Sequence, residues 1–398
     1  MSGKIRLLLA IVCAVAVASV YIAQPLLESM GRSLGMSEAA TGWLVATGQI
    51  GYVVGLVLLV PLGDIVRRRL LIPTQLALTG VGLLMTAFAP AVAVVFAGLA
   101  LAGVFAVVVQ TAVAYAAAAS PPNEQGRSIG AVTSGVVVGI LGGRALAGAL
   151  AEAVGWQGVY FAFGVAAIAL AVAAAAMLPR EHRVGGGRSY PGALRGLAHL
   201  FSQRSFLSSG LIAFFAFASF GTLWSGMSLP LAEHPWSMGE TAIGMLSLVG
   251  LAGVLGAARA GRWADAGKGS FVMCGALALL IVSWLAISQL TWSLGFLLVG
   301  ILVLDFAVQS VHVSNQHRLT STYPMRASAV IGGYMVFYSL GSALGASATT
   351  ALYSIWGWSA SSVLGAGFAV CALVVWVVGA LQHRRQRIRE AVFVERAD

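Results

Sequence analysis

Residues 121–158 read PPNEQGRSIGAVTSGVVVGILGGRALAGALAEAVGWQG: a polar loop, a glycine-rich apolar run and a closing Gly-Trp pair. A shift of 202 positions aligns this stretch with residues 323–360, YPMRASAVIGGYMVFYSLGSALGASATTALYSIWGWSA. Matches at one shift on glycine, proline and tryptophan predict an internal duplication with a period of about 200 residues. The six matched pairs are Pro122 with Pro324, Gly130 with Gly332, Gly139 with Gly341, Gly143 with Gly345, Gly155 with Gly357, and Trp156 with Trp358.

The composition is that of an integral membrane protein. Hydrophobic residues make up 59% of the chain and charged residues only 9%, whereas a typical soluble domain is about 45–50% apolar and about 25% charged. The mean hydropathy is +0.91. The net charge of +10 is therefore assigned to basic loops at the cytoplasmic ends of membrane helices, and no nucleic-acid partner is expected.

No motif for a cofactor or a metal is present in the sequence. The three cysteines, Cys13, Cys274 and Cys371, lie in apolar runs without paired spacing, which predicts packing residues and not disulfides or metal ligands. There is no glycine-rich loop ending in Gly-Lys-Ser or Gly-Lys-Thr, no His-Glu-x-x-His and no Cys-x-x-Cys. We therefore expect no ATP hydrolysis, no metal, no cofactor and no enzymatic activity.

Segments of about 20 apolar residues are long enough to cross a bilayer as helices, and helices satisfy their own backbone groups in lipid. The predicted fold is therefore an all-α monomer with twelve transmembrane helices in two pseudo-symmetric six-helix bundles. Because six is even, the two halves are parallel repeats, and the first helix is expected to remain uncleaved. The predicted segments are 5–29, 39–62, 70–89, 91–119, 128–153, 157–178, 205–231, 239–261, 270–289, 292–317, 327–355 and 358–381.

Basic residues gather on one side of this topology, which predicts that both termini lie in the cytoplasm. The expected location is the cell (inner) membrane. The opposite side offers Arg32 against five glutamates. The predicted domains are a first bundle over 1–179, a cytoplasmic linker over 180–204, a second bundle over 205–383 and a tail over 384–398. The basic residues on the cytoplasmic side are Arg67, Arg68, Arg69, Arg127, Arg180, Arg183, Arg188, Arg195, Arg262, Lys268, Arg318, Arg326, Arg384, Arg385, Arg387 and Arg389.

Two loops at corresponding places carry an acid beside basic residues. The first is Pro-Leu-Gly-Asp-Ile-Val-Arg-Arg-Arg at 61–69, with Asp64 followed by Arg67, Arg68 and Arg69. The second, at 261–268, holds Asp265. An acid among bases forms a charge lock or meets the positive end of a neighbouring helix.

These loops resemble the Gly-x-x-x-Asp-x-x-Gly-Arg signature of the major facilitator superfamily. The second loop matches through Gly261 and Asp265, whereas Val60 and Arg67 replace the two glycines in the first. With twelve predicted helices and the repeat, the resemblance covers essentially the whole chain. It implies a gating role for the loops, Asp64 and Asp265 included; the alternative is a plain topology-setting charge.

Helix 5 of the prediction carries Gly135, Gly139 and Gly143 at four-residue spacing, which favours close helix packing. The run is similar to the Gly-Pro-x-x-Gly-Gly motif of antiporters in that family, with Ile140 for the proline and Arg144 for the last glycine. A charge in mid-membrane is costly and usually faces a partner or a wet cavity. Arg144 is therefore predicted to bind substrate or take part in coupling, or else to form a structural pair.

Asp305, Gln309, His312 and Gln316 recur at steps of four, three and four residues, so they share one face of a membrane helix. Such a polar face is expected to point into the protein. A carboxyl group in an apolar setting binds a proton readily, as a proton carrier must. The alternative role of this face is a hydrogen-bond network between helices.

Further polar or aromatic side chains fall inside predicted membrane helices, where each either packs or lines a pocket. Tyr21 and Trp224 belong to this group. The members taken as candidates for substrate or proton coupling are Gln24, Gln49, Tyr52, Gln110, Tyr334 and Tyr338.

The sequence thus predicts a secondary transporter in which two bundles rock about a central cavity. The resemblance in the loop 61–69 and in helix 5 implies export of a small organic compound, and the polar face from Asp305 to Gln316 supplies the argument for proton coupling. The expected partners are the substrate, protons and lipid. One alternative is a proton-coupled importer of an organic anion bound at Arg144. A different class is a non-transporting membrane receptor, against which the duplicated loops argue.

Overall fold

The computed structural model describes residues 1–121, 124–179, 190–250, 263, 269–323 and 327–395. This part of the chain is all-α, as predicted, with short 3-10 turns between helices. The helices are α1 (Gly3–Tyr21), α2 (Leu27–Ser33), α3 (Glu38–Leu58), α4 (Arg68–Ala87), α5 (Val92–Phe105), α6 (Val108–Ala118), α7 (Gln125–Met177), α8 (Tyr190–Leu200), α9 (Arg204–Gly226), α10 (Ser228–Ala232), α11 (Glu240–Met245), α12 (Gly269–Ile287), α13 (Leu294–Thr322) and α14 (Ala327–Glu395).

Nine helical stretches of the described residues are long and apolar enough to cross a membrane. Two of them have 51 and 54 residues, about 77 and 81 Å at 1.5 Å per residue, which is more than twice the thickness of a hydrocarbon core. Each contains a glycine with a positive φ, Gly155 at 70° and Gly357 at 69°. This left-handed conformation favours glycine and divides each stretch into two crossings.

Eleven of the predicted crossings thus have a helical counterpart in the described ranges. The remaining one, 239–261, begins with the short apolar helix Glu240–Gly250, and residues 251–261 lie outside the described part. The total of twelve therefore stays a prediction, although the all-helical membrane fold is confirmed.

Several predicted boundaries differ from the observed ones. The segment 91–119 consists of α5 and α6, since the helix is interrupted at 106–107. The first helix stops at Tyr21 and a 3-10 turn and α2 replace its predicted end. In the predicted linker, α8 forms an additional helix whose Tyr190 hydroxyl donates to the Leu58 carbonyl oxygen at 2.9 Å. Helix α14 continues to Glu395, through most of the predicted tail.

The duplication predicted from sequence recurs in the packing. A Cβ atom on Gly139 would lie 2.3 Å from the carbonyl oxygen of Ala14, so α7 approaches α1 backbone to backbone. A Cβ atom on Gly341 would lie 2.0 Å from the carbonyl oxygen of Phe214, which gives α14 the same contact with α9. Small residues permit such approaches, and the equivalent positions repeat the contact in both halves.

The two halves contact each other at the side of the protein opposite the first residues of α1, here called the distal side. A Cβ atom on Gly42 of α3 would lie 2.2 Å from the Ala346 carbonyl oxygen of α14. A Cβ atom on Gly244 of α11 would lie 2.7 Å from the Arg144 carbonyl oxygen of α7. Gly42 and Gly244 differ by 202 positions, as do Arg144 and Ala346. The same close backbone contact between the halves is thus made twice on the distal side.

Hydrogen bonds between the halves reinforce this distal closure. The backbone N–H of Thr241 donates to the Glu152 carboxylate at 3.1 Å, and its hydroxyl donates to the Gly148 carbonyl at 3.3 Å. The carboxylate therefore meets the positive N-terminal end of α11. On the other flank, the backbone N–H of Gly42 donates to the Thr350 hydroxyl at 3.2 Å.

The α1–α7 contact predicts a stability effect. Gly139→Ala places a methyl group against the backbone of α1, which has to shift at a cost of about 1–3 kcal/mol. We expect a clearly lower thermal unfolding midpoint for the purified protein. Gly130→Ala is the matched control, since Gly130 lies on the same helix with nothing within 4 Å of its would-be Cβ atom. Equal midpoints for both variants would contradict the close approach.

Candidate functional site

Arg144 lies in the first crossing of α7 with only 1% of its surface exposed. Its guanidinium carbon is 4.1 Å from the ring centre of Trp224, 5.2 Å from that of Tyr21 and 5.5 Å from that of Phe220. The aromatic faces carry negative charge density and attract the cation. Tyr21 belongs to α1 and the other two rings to α9, so residues of both halves surround the guanidinium.

The hydrogen-bonding groups of Arg144 are not used within the described part of the chain. Its Nε, Nη1 and Nη2 atoms are buried and have no hydrogen-bond partner there. Ion pairs do form elsewhere in the described part, for example Arg6 with Glu124 at 3.7 Å and Arg32 with Glu28. A buried guanidinium with free donors is costly, and its donors fit a carboxylate or another anion.

Asp305 lies on α13 and is also buried, with 4% of its surface exposed. Its Oδ1 atom accepts a hydrogen bond of 3.1 Å from the Trp224 indole nitrogen. Trp224 therefore contacts both charged residues, Arg144 through its face and Asp305 through its edge. The structure brings together two residues that the sequence singles out separately.

A cavity lies beside this group, between the two halves. The volume of this cavity is about 80 Å³, which is several times the roughly 15 Å³ that one buried water molecule needs. Its wall is largely apolar, with a carboxyl group, an amide and a phenol among the lining side chains. The lining residues are Val137, Ile140, Leu141, Phe217, Phe220, Gly250, Asp305, Gln309 and Tyr338.

The polar face predicted on α13 is divided between two environments. Asp305 and Gln309 line the cavity. His312 instead shares hydrogen bonds with the Tyr334 hydroxyl at Nδ1 and with the Gln316 amide at Nε2, both 3.1 Å. Among the hydrogen bonds of the described residues, none joins His312 to Asp305 or Gln309. In the described part of the chain, no direct hydrogen bond therefore connects the Asp305 and Gln309 end of this polar face with His312 and Gln316.

Two side-chain hydrogen bonds join the halves near the site. The hydroxyl groups of Tyr21 and Tyr338 form a hydrogen bond with each other, and the Gln24 amide donates a hydrogen bond to the Ser225 hydroxyl at 3.4 Å. Gln24 and Tyr338 are among the site residues that the sequence predicts. Both lie where the halves meet, and Tyr338 also lines the cavity.

The remaining candidates of the first half are not among the residues that line the cavity. The Gln110 amide donates to the Tyr52 hydroxyl at 3.3 Å, which joins α6 to α3. Gln49 is buried with 1% of its surface exposed, and its amide nitrogen has no partner among the described residues. Tyr52 and Gln110 thus serve a contact between helices in this structure.

The loop after α3 is a 3-10 turn, Val60–Asp64. Arg67 precedes α4, and Arg68 and Arg69 form the first residues of that helix. The side chain of Asp64 and the whole of Asp265 lie outside the described part. The charge lock therefore stays a prediction for both loops.

Sequence reasoning missed two aromatic residues of the site. Phe217 and Phe220 on α9 line the cavity, and Phe220 also contacts Arg144. A signal was present, because Phe217, Phe220 and Trp224 recur at steps of three and four residues and so share one helical face. Such a face occurs in packed cores as well, and only the position of Arg144 marks it as part of a site.

The fold and site are those of a helical membrane transporter, with charged residues buried where two related halves meet. Residues 9–323 and 210–395 match the family model of the Major Facilitator Superfamily, and the chain belongs to this family.

Relatives and a solved structure agree with this assignment. The chain is 36% identical over 387 residues to the putative uncharacterized transporter YgaY of Escherichia coli (strain K12), covering 97% of this chain and 98% of that protein. It is 29% identical to the chloramphenicol resistance protein of Streptomyces lividans, covering 71% and 72%. A bacterial homolog of the human lysosomal transporter Spinster, solved in an inward-facing and occupied conformation, has a TM-score of 0.78 at 14% identity, covering 95% and 96%.

The environment of Arg144 leads to a prediction about its chemistry. Arg144→Lys keeps the charge but loses the planar group that stacks on Trp224 and offers several donors. We expect transport to fall roughly tenfold or more, since losing one charge-assisted hydrogen bond costs about 1.5–3 kcal/mol. The measurement is flux in proteoliposomes of a compound first identified by thermal stabilisation of the purified protein.

Arg127→Lys on the same helix is the control, because Arg127 is exposed. Full activity of Arg144→Lys would leave charge balance as the only role of the arginine.

Proposed function

We propose that this transporter exports a small organic compound in exchange for protons, by alternating access of the site between the two halves. The observation that carries the proposal is the position of Asp305. Its carboxyl group lies on the wall of the cavity between the halves, so a substrate bound in this cavity would contact the group that we propose as the proton carrier. Ionisable residues inside membrane helices commonly mark such proton and substrate pathways.

Two further observations support the proposal, one on the type of substrate and one on the direction of transport. The cavity wall is mainly apolar and aromatic, which suits a small organic compound. The chain is also similar to a protein named for chloramphenicol resistance, and resistance of that kind is consistent with export.

Exchange requires that proton and substrate compete for the transporter. A substrate that lies against the Asp305 carboxylate is displaced when the carboxylate binds a proton, and a proton is released when the substrate binds. This linkage is reciprocal. Export by this mechanism therefore predicts that the substrate binds more weakly at low pH.

A second candidate function is proton-coupled import of an organic anion, and it is favoured by Arg144. The guanidinium has no hydrogen-bond partner in the described part, so its donors suit an acidic substrate. A proton on Asp305 removes the negative charge that would compete for Arg144. Proton and anion then bind better together, and low pH strengthens binding. The sign of the pH effect on affinity decides between the two candidates.

Asp305→Asn tests the proton role. Asparagine mimics the protonated carboxyl group, so under the export mechanism we expect the variant to bind and exchange substrate weakly at every pH, whereas under the import mechanism it should bind and exchange substrate well without a gradient. We expect loss of accumulation driven by a pH gradient, because the side chain has no proton to release. Both are measured in the same vesicles with the compound found by thermal stabilisation.

Glu124→Gln is the control for removal of a carboxylate, since Glu124 forms only a partly exposed pair with Arg6. Accumulation retained in Asp305→Asn would exclude Asp305 as the essential proton site.

Alternating access also requires that the distal closure opens. Gly42→Ala places a methyl group against the Ala346 carbonyl and should favour the state in which α3 and α14 separate. Spin labels at Ser37 and Ser354, in a background without native cysteines, are expected to report longer distances. Gly48→Ala is the control, because nothing lies within 4 Å of its would-be Cβ atom. An unchanged distance distribution would show that this contact does not hold the distal side closed.

A further inference from the structure

Trp224 occupies an unusual position between the two buried charges of the site. It is 2% exposed, its ring centre lies 4.1 Å from the Arg144 guanidinium carbon, and its indole N–H donates to Asp305 at 3.1 Å. It also contacts Phe220, with ring centres 6.1 Å apart. One side chain of α9 thus contacts a cation on α7 and a carboxyl group on α13.

The electrostatics of the indole suit both neighbours. The face of an aromatic ring is negative and attracts a guanidinium, whereas the edge is positive and carries the N–H donor. Trp224 presents its face to Arg144 and its N–H to Asp305. Each charged group is therefore stabilised by the tryptophan, and neither needs the other as a direct partner.

A direct ion pair would change the chemistry of the site. In a poorly solvated interior the two opposite charges attract strongly, and a carboxylate beside a guanidinium binds a proton only at much lower pH. The pair would also occupy the donors of Arg144. No ion pair between Arg144 and Asp305 is found within the described part of the chain.

We propose that Trp224 is a positioning residue that keeps Arg144 and Asp305 from pairing, so that Asp305 exchanges its proton and Arg144 keeps its donors free. The inference rests on the proposed role of Asp305 as the proton carrier. It makes Trp224, which the sequence analysis names only as an intramembrane aromatic that packs or lines a pocket, part of the coupling machinery.

The other groups around Asp305 do not replace this function. Tyr338 of α14 is a neutral phenol on the cavity wall, and Tyr21 of α1 bonds to it. His312 lies two turns along α13 and is bonded to Tyr334 and Gln316. Gly250 faces the Oδ2 atom, since a Cβ there would lie 2.1 Å from it, and it brings no charge. Arg144 is thus the cation that faces Asp305 among the described residues.

The test measures protonation of Asp305 directly, without a substrate. The carboxyl stretching band is followed by infrared spectroscopy against pH in purified protein, and the Asp305 contribution is obtained by subtracting the Asp305→Asn spectrum. Trp224→Leu and Trp224→Met remove the ring and the N–H donor. The methionine variant fills the space with a flexible side chain and serves where the leucine variant does not fold.

We expect the midpoint of the Asp305 band to move to lower pH by about one pH unit or more in Trp224→Leu or Trp224→Met, as direct pairing with a nearby cation produces. The double variant Trp224→Met with Arg144→Gln should reverse this change, because the pairing partner is gone. Trp284→Met is the control, since Trp284 is a buried tryptophan whose indole N–H donates a hydrogen bond to Ser219 and not to Asp305. The midpoint of the Asp305 band in this variant should equal that of the parent protein.

A midpoint that stays unchanged in Trp224→Met would reduce Trp224 to a packing residue. A midpoint that rises would reduce it to a hydrogen-bond donor of the carboxylate, because loss of a donor alone favours the protonated form. Either result overturns the proposal. Failure of the wild-type Asp305 band to titrate at all would instead remove the proton role of Asp305, so the two failures are distinguished.

Discussion

The buried guanidinium of Arg144 is the group of the site that most needs compensation for its charge, and the arrangement of the site follows from this need. Arg144 lies inside a membrane protein with its donors unbonded in the described part, where an isolated charge is costly. Its compensation comes from aromatic faces, Tyr21 of the first half and Trp224 and Phe220 of the second. These rings surround the cation only while the halves are together, so its environment depends on how the halves are arranged.

The scaffold is symmetric, whereas the chemistry is not. The distal contacts pair Gly42 with Ala346 and Gly244 with Arg144, and each member lies 202 positions from its counterpart. At equivalent positions of the two copies, the residue that makes the backbone contact is therefore an alanine, Ala346, in one copy and an arginine, Arg144, in the other. The duplicated fold supplies two equivalent contacts between the halves, and the arginine present in one copy alone makes the site asymmetric.

Much of this architecture could be predicted from the sequence, because membrane helices and their junctions depend on local composition. The matched Gly155 and Gly357 coincide with the two positive-φ kinks, and Arg144 and Asp305 are conspicuous as charges in apolar runs. That Arg144 and Asp305 both contact Trp224 depends on the tertiary structure. Nothing in the spacing of Trp224 shows that its face meets one helix and its edge another, and the separation of His312 from Asp305 depends on Tyr334 of a different helix.

One residue connects the distal closure with the site. The carbonyl oxygen of Arg144 lies against Gly244 of α11, while its guanidinium lies against Trp224 of α9. Both of those partners belong to the second half, and Tyr21, its other ring neighbour, belongs to the first. In the proposed alternating-access cycle, separation of the two halves on the distal side would therefore remove Arg144 from Trp224 and leave it with Tyr21. Because Asp305 accepts a hydrogen bond from Trp224, the same movement would carry the cation away from the carboxyl group that we propose as the proton carrier, and so would change the charge environment of that group.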